Sequence, residues 1–326
     1  PGLGYFYCGK FSLGIGAAIA FPLLLLSIDF ISIVLPEKTN SVFFLCGYII
    51  LFLFVLIHSV IIALKNKRYS LKAENKFLYY LVFFALSISY NIYLRECTFE
   101  THNISSGSME NTILIRDQVL IRYTYYGFYE PFSEKIIFRF RFPQRNELAV
   151  FNGPYKANNS LFLKRITCIP RDTITIVKRQ VFVNGVPDKP NDLYKYDKNR
   201  RKDTDVNGQL YPHGAEWNED NYGPLYIPGK GDKIKIDPKN SFIWKPLIIK
   251  ELAELKTYAE KDKAADEIIR SGEYAVRNNY YFMLGDDRSN SMDSRYIGLI
   301  AEDEIIGKAE FVLYNSVREG RAGIIL

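Results

Sequence analysis

The chain has 326 residues, 48% hydrophobic and 24% charged, with a formal charge of +6; single cores stop growing near roughly 250 to 300 residues, so it holds two or three structural units. The charge is scattered, with no Lys/Arg block interleaved with the aromatics that would grip a nucleic-acid backbone, which excludes nucleic acid as a partner. The cysteines (Cys8, Cys46, Cys97, Cys168) show no C-x-x-C spacing and the histidines (His58, His102, His213) form no cluster, so neither a metal nor any other cofactor is expected.

Three apolar stretches open the chain, at about 11–35, 41–64 and 77–94. The first two reach the roughly 20 residues that cross a hydrocarbon layer and the third is near the lower limit. A removable signal peptide would not be followed by two more such runs, so all three are read as retained transmembrane helices forming an anchor over residues 1–95. The loop after the second, KNKRYSLKAENK, carries Lys65, Lys67, Arg68, Lys72 and Lys76. Such loops stay in the cytoplasm, which sends everything after residue 95 to the outer side. The first residue is Pro1 rather than Met, and further N-terminal residues are expected before it.

From Asp117 the pattern changes to short β-like runs: DQVLIRY, ELAVF, SLFLKRITCI, DTITIV, QVFV before Asn184-Gly185, YYFMLGD and KAEFVLY. The helices of a parallel α/β sheet are missing between them, so the expected class is a mainly β domain with an antiparallel sheet. That domain takes residues 96–186 and 279–326. The polar segment 187–278 between them reads as an insertion, a second, smaller β/α subdomain with one helix-like stretch near Lys250 to Glu267. In Phe138-Arg139-Phe140-Arg141-Phe142 aromatic and cationic residues alternate with period two. The pattern suits either a lipid headgroup layer or a strand with its Phe side in the core. Cys97 and Cys168 either pair in an oxidising compartment or remain two thiols.

Three segments carry candidate chemistry. Ser106-Gly107-Ser108-Met109 puts a hydroxyl about a dozen residues beyond the last span, although S-G-S by itself is a common linker. In Phe162-Leu163-Lys164-Arg165-Ile166 a lysine interrupts an apolar strand. Burial disfavours its charged form, and a neutral lysine can activate a serine without histidine. A strand-edge lysine whose stem packs while its head reaches water fits the same pattern. Finally, GDDRSNSMDSRY after the strand YYFML is either a solvated loop or the group that orients a buried lysine.

Together these segments resemble the bacterial, Gram-negative-like branch of the type I signal peptidase family, a Ser-Lys dyad serine protease family. SGSMENTILIRDQVL is similar to its serine box, FLKRITCIPRDTITI to its lysine box, and LGDDRSNSMDSRYIGLIAEDEIIGKAEF to its carboxy-terminal box, in the family's order over roughly residues 100–315; DNYGPLYIPGKG is similar to a segment of Gram-negative members. The resemblance implies a membrane-bound endopeptidase that removes signal peptides from exported preproteins, with Ser108 as nucleophile and Lys164 as general base. It also implies an oxyanion hole from the Ser108 N–H and the Ser106 hydroxyl, and a Ser291 hydroxyl bonded to the Lys164 amine. Asp293, Asp286, Arg288 and Arg295 would support the site, and Ile104, Met109 and Leu163 would line the pocket for a small side chain. Implied surroundings are the bacterial cytoplasmic membrane, crossed several times with the catalytic domain on its periplasmic side, membrane lipid, and the export machinery.

The chain departs from the family's pattern at Ser105 and Asn111, where proline is usual, at Arg171, where glycine is, at Cys168, where another small residue is, and at Asp287, where asparagine is common. A peptidase dedicated to one secretion or conjugation system, and a catalytically inactive peptide-binding membrane protein, are the alternative functions.

Overall fold

The computed structural model describes residues 97–326 apart from 131, 134, 154–160, 189–193, 197–200, 203 and 253, together with scattered positions before 97. The chain divides into two units, residues 1–100 and 101–324. The expected spans 11–35, 41–64 and 77–94 fall in good part outside the described residues, where short helical pieces such as 12–16, 56–58 and 60–62 are seen. Among the described residues no helix is long and apolar enough to cross a membrane.

The second unit is mainly β and antiparallel. Its main sheet runs β1 (Phe99–Asn103), β2 (Asp117–Arg122), β15 (Ile305–Asn315), β5 (Leu148–Asn152), β6 (Leu161–Cys168), β13 (Tyr280–Leu284) and β14 (Ile300–Ala301), with β16 (Ile324–Ile325) on β15. Apolar clusters flank it. Phe151, Ile166, Tyr281 and Met283 pack in one, and Ile121, Val150 and Ile306 in another. β13 alternates between the first of these, through Tyr281 and Met283, and a third cluster that takes Tyr280, Phe282 and Leu284, so it is buried at every position and reads as an unbroken apolar run.

A smaller sheet pairs β10 (Tyr222–Tyr226), β7 (Thr173–Val177), β8 (Gln180–Val183) and β9 (Val186–Pro187) in that order. Asn184 and Gly185 turn β8 into β9 with φ of 54° and 77°, the left-handed pair that an Asn-Gly hairpin turn requires. β11 (Lys233–Lys235) pairs with β12 (Glu273–Ala275). The one helix expected near Lys250 to Glu267 is instead two, α1 (Ser241–Glu251) and α2 (Tyr258–Ser271). Thr257 breaks the stretch: its hydroxyl accepts from Glu260 N–H while the Glu260 carboxylate accepts from Thr257 N–H, a reciprocal cap that starts a new helix.

A hairpin of β3 (Gly127–Glu130) and β4 (Lys135–Arg139) carries the alternating aromatics. Phe128, Phe138 and Phe140 gather with ring centroids 5.7 to 6.5 Å apart, and Phe128 and Phe138 are 45% and 61% exposed. The arginines turn inward: Arg139 donates to the carbonyls of Glu302 and Ile305, and Arg141 lies 4.2 Å from the Tyr125 ring centre. The aromatic face is therefore the solvent face and the cationic face is tied to protein. Cys168 lies buried in β6 with a free thiol, the second of its two alternatives.

Candidate active site

Lys164 lies in the middle of β6 opposite Ala149 of β5, on the strand face shared by Phe162 and Ile166. It is 4% exposed. Its Nζ donates to Ser108 Oγ at 2.8 Å and to the Leu163 carbonyl at 2.9 Å, which fixes the amine's direction. Burial pushes Lys164 down from 10.5 to about 8, against a smaller pull from Asp293 and Asp286, whose charges favour the ammonium.

Ser108 arrives on a tight turn between β1 and β2. Glu110 N–H donates to Gly107 C=O at 2.9 Å and Ile113 N–H to Met109 C=O at 2.8 Å. The Ser108 carbonyl accepts from Asp287 N–H at 3.1 Å, which joins the serine turn to the loop after β13. Gly285 makes this approach possible, because a Cβ there would lie 2.5 Å from the Ser108 carbonyl oxygen and 2.2 Å from Ser291 Oγ. Ser106 Oγ stands 3.4 Å from Ser108 Oγ.

Apart from Arg288, the acidic and basic residues of that loop are paired. Asp286 accepts from Arg165 at 2.9 and 2.7 Å, a bidentate fork, and also from the Thr112 hydroxyl. Asp293 caps α3 (Ser294–Ile297), accepts from Gly285 N–H and takes a fork from Arg295; the nearby guanidinium outweighs burial and holds its carboxyl below the usual range. Arg295 in turn donates to the Arg288 carbonyl at 2.7 Å. The hydrogen bond implied between Ser291 and the Lys164 amine is not made: Ser291 Oγ is buried without a hydrogen-bond partner.

A cleft of about 430 Å³ opens beside the Ser108–Lys164 contact. Ile104, Met109 and Leu163 line it as expected, with Val150, Phe162, His102, Asn290 and Met292. The apolar residues among its walls, beside the Ser108–Lys164 contact, suit an apolar or small side chain next to a reacting carbonyl. Buried amine, serine hydroxyl and second hydroxyl form a set that can run acyl transfer.

The pattern of the family described as signal peptidase, peptidase S26, matches residues 74–314. This chain belongs to the signal peptidase S26 family. It is 31% identical to a signal peptidase I of Buchnera aphidicola subsp. Schizaphis graminum over 226 residues, 66% of this chain and 68% of the relative. To signal peptidase I of Haemophilus influenzae it is 23% identical, over 69% of this chain and 66% of the relative, and to that of Aquifex aeolicus 27%, over 69% and 79%. As a signal peptidase of family S26 the chain is a serine endopeptidase, a hydrolase that removes signal peptides.

Sequence reasoning left out several residues around the site. Arg165 was legible only as the neighbour of Lys164, yet it is the cation that holds Asp286. Thr112 lay inside the serine box with no role assigned to it, and Tyr194 and Lys195 carried no motif. Their roles come from contacts 85 to 174 residues away in the chain, which no spacing rule reports.

Proposed function

We propose that Ser108 is the nucleophile and Lys164 the general base of a membrane-anchored signal peptidase. The single observation that carries this reading is the 2.8 Å contact between a serine hydroxyl and an amine buried enough to titrate near 8. As an ammonium, Nζ donates to Oγ. Once neutral, it turns a lone pair along the same line and accepts the hydroxyl proton while Oγ attacks the scissile carbonyl. The Ser108 N–H and the Ser106 hydroxyl stabilise the oxyanion, where one donor is typically worth about 10²- to 10³-fold in rate. The Lys164 proton then goes to the leaving amine, and the neutral amine activates water against the acyl-enzyme. Asp293, Asp286, Arg288 and Arg295 hold the loop beneath the dyad and Ser291 packs against Gly285 within it, while Ile104, Met109 and Leu163 receive the small side chain before the cut.

Residues 1–95 form the anchor, with spans at 11–35, 41–64 and 77–94, in the bacterial cytoplasmic membrane. The apolar runs and the Lys/Arg-rich loop between the second and third support this topology. The catalytic domain, 96–186 and 279–326, with its insertion 187–278, then lies on the outer side, where preproteins leave the export machinery. The exposed rings of Phe128 and Phe138, gathered with half-buried Phe140, give lipid a docking face on that domain.

The test is cleavage of a preprotein by the purified full chain, Ser108→Ala and Lys164→Ala, in detergent. Only the unaltered protein is expected to release mature product, with each variant down by at least about 10³-fold. Processing by either variant at a rate near that of the unaltered protein would sink the assignment.

A further inference from the structure

The serine turn rests on a segment that shares none of its sequence neighbourhood. Tyr194 and Lys195 lie in the polar stretch after β9, more than eighty residues from Ser108, and neither lines the cleft. Lys195 runs as a short parallel bridge beside Asp287. Its N–H donates to the Asp286 carbonyl at 2.8 Å, and its carbonyl accepts from Arg288 N–H at 2.9 Å. Its Nζ reaches both sides of the site, at 2.5 Å from Glu110 Oε2 on the serine turn and 3.4 Å from Asp287 Oδ2 on the loop. Asp287 is the residue whose N–H holds the Ser108 carbonyl.

A second, independent contact points the same way. Arg288 is 3% exposed, donates through Nε to the Gly285 carbonyl, and has no hydrogen-bond partner on Nη1 or Nη2. A buried guanidinium with two unmet nitrogens needs another source of attraction. The Tyr194 ring supplies it, with its centre 3.8 Å from the guanidinium carbon. The loop from Gly285 to Arg288 is therefore gripped by Tyr194 and Lys195 from one side while it supports Ser108 from the other.

We propose that Tyr194 and Lys195 are positioning residues, a latch that fixes the serine turn against the loop after β13 and so sets the turnover rate of peptide cleavage. This rests on the reading of Ser108 and Lys164 as the reacting pair. Neither latch residue touches substrate. They act through the height and direction of Ser108 Oγ, where a shift of about 1 Å can cost on the order of 10²-fold.

The experiment measures kcat, KM and Tm of the full chain in detergent for Lys195→Ala, Lys195→Arg, Glu110→Gln, the Lys195→Ala/Glu110→Gln double variant and Tyr194→Leu. Lys195→Ala is expected to lower kcat by about 5-fold or more with KM and Tm nearly unchanged, because an exposed pair adds little to stability. Lys195→Arg recovers most of the loss, and the double variant falls no further than the worse single one, as for two groups in one contact. Tyr194→Leu also lowers kcat. A Lys195→Ala enzyme with unaltered kcat, a loss confined to KM, a loss that tracks Tm, no recovery with Arg, or losses that multiply in the double variant would each overturn the latch. Should Lys195→Ala fail to fold, Glu110→Gln decides, since it removes the same contact from the exposed side of the turn. Ser108→Ala and Lys164→Ala run alongside separate the two readings: if both are inactive while the Lys195 and Glu110 variants match the unaltered protein, the latch alone falls. If Ser108→Ala or Lys164→Ala keeps activity near that of the unaltered protein, the reacting-pair reading falls and takes the latch with it; with both inactive, a kcat loss at unchanged Tm in the Lys195 and Glu110 variants supports the latch.

Discussion

Lys164 is the residue on which the proposed chemistry turns; an amine interrupting the apolar run FLKRI was legible as a candidate base, while a strand-edge lysine with its head in water fitted the same pattern, and burial at 4% exposure decides for the first. The partner was legible only through the family resemblance, since 56 residues separate Lys164 from Ser108 and no periodicity links a turn to a strand centre. The pH dependence follows from the direction of the shift. The reactive amine is neutral, so kcat/KM is low where Lys164 holds its proton and rises as pH passes through about 8. An apparent pKa near 10.5 in the kcat/KM profile would mean a solvated amine and would count against the buried base. Two departures from the family's pattern also become intelligible at this scale. Asn111 has φ of 86°, which a proline ring cannot adopt, so the serine turn takes a different path there. Arg171 keeps the left-handed φ of 73° that favours glycine, and its side chain meets Asp232 at 3.0 Å.

Most strands were readable as elements, because apolar alternation and turn residues coincide. Asp117–Arg122, Leu148–Asn152 and Leu161–Cys168 each fall within a residue or two of the runs that announced them. The helices were read less well. α1 carries Pro246 and an almost even spread of apolar residues, so no single face stands out, while the Thr257/Glu260 cap was a legible start signal that the charge-rich sequence around it obscured. What no sequence pattern reveals is the join between elements at Gly285, where β13 ends and its loop passes under the serine turn. Gly285→Ala puts a methyl group against the Ser108 carbonyl and Ser291 Oγ. The carbonyl is backbone and cannot rotate aside, so the turn must move, and kcat should fall by on the order of 10²-fold. Single-turnover cleavage by the purified variant measures this, and a rate within a few-fold of the unaltered enzyme would show that the loop has slack.

At the scale of the whole molecule, the proposed membrane anchoring asks how the β unit would meet a substrate whose apolar segment stays in lipid. The β3–β4 hairpin offers an answer that composition alone left even. With Arg139 and Arg141 held by Glu302, backbone carbonyls and the Tyr125 ring, the cations cannot be the lipid-seeking face. On the proposed membrane reading the rings take that part, because the bulge between Phe128/Phe138 and Tyr129/Ile136 turns Ile137 outward beside Phe138 and leaves both exposed. Each such side chain gains up to about 1.5–3 kcal/mol on leaving water, so three or four of them make a useful hold on a bilayer. Replacing Phe128, Phe138 and Ile137 together by serine should therefore slow processing of a preprotein embedded in vesicles by about 10-fold or more. Cleavage of a short soluble peptide should stay unchanged, since none of the three lines the cleft. Equal losses on both substrates would assign the hairpin to the fold of the catalytic unit, and no loss on either would leave its aromatic face without a role at the membrane.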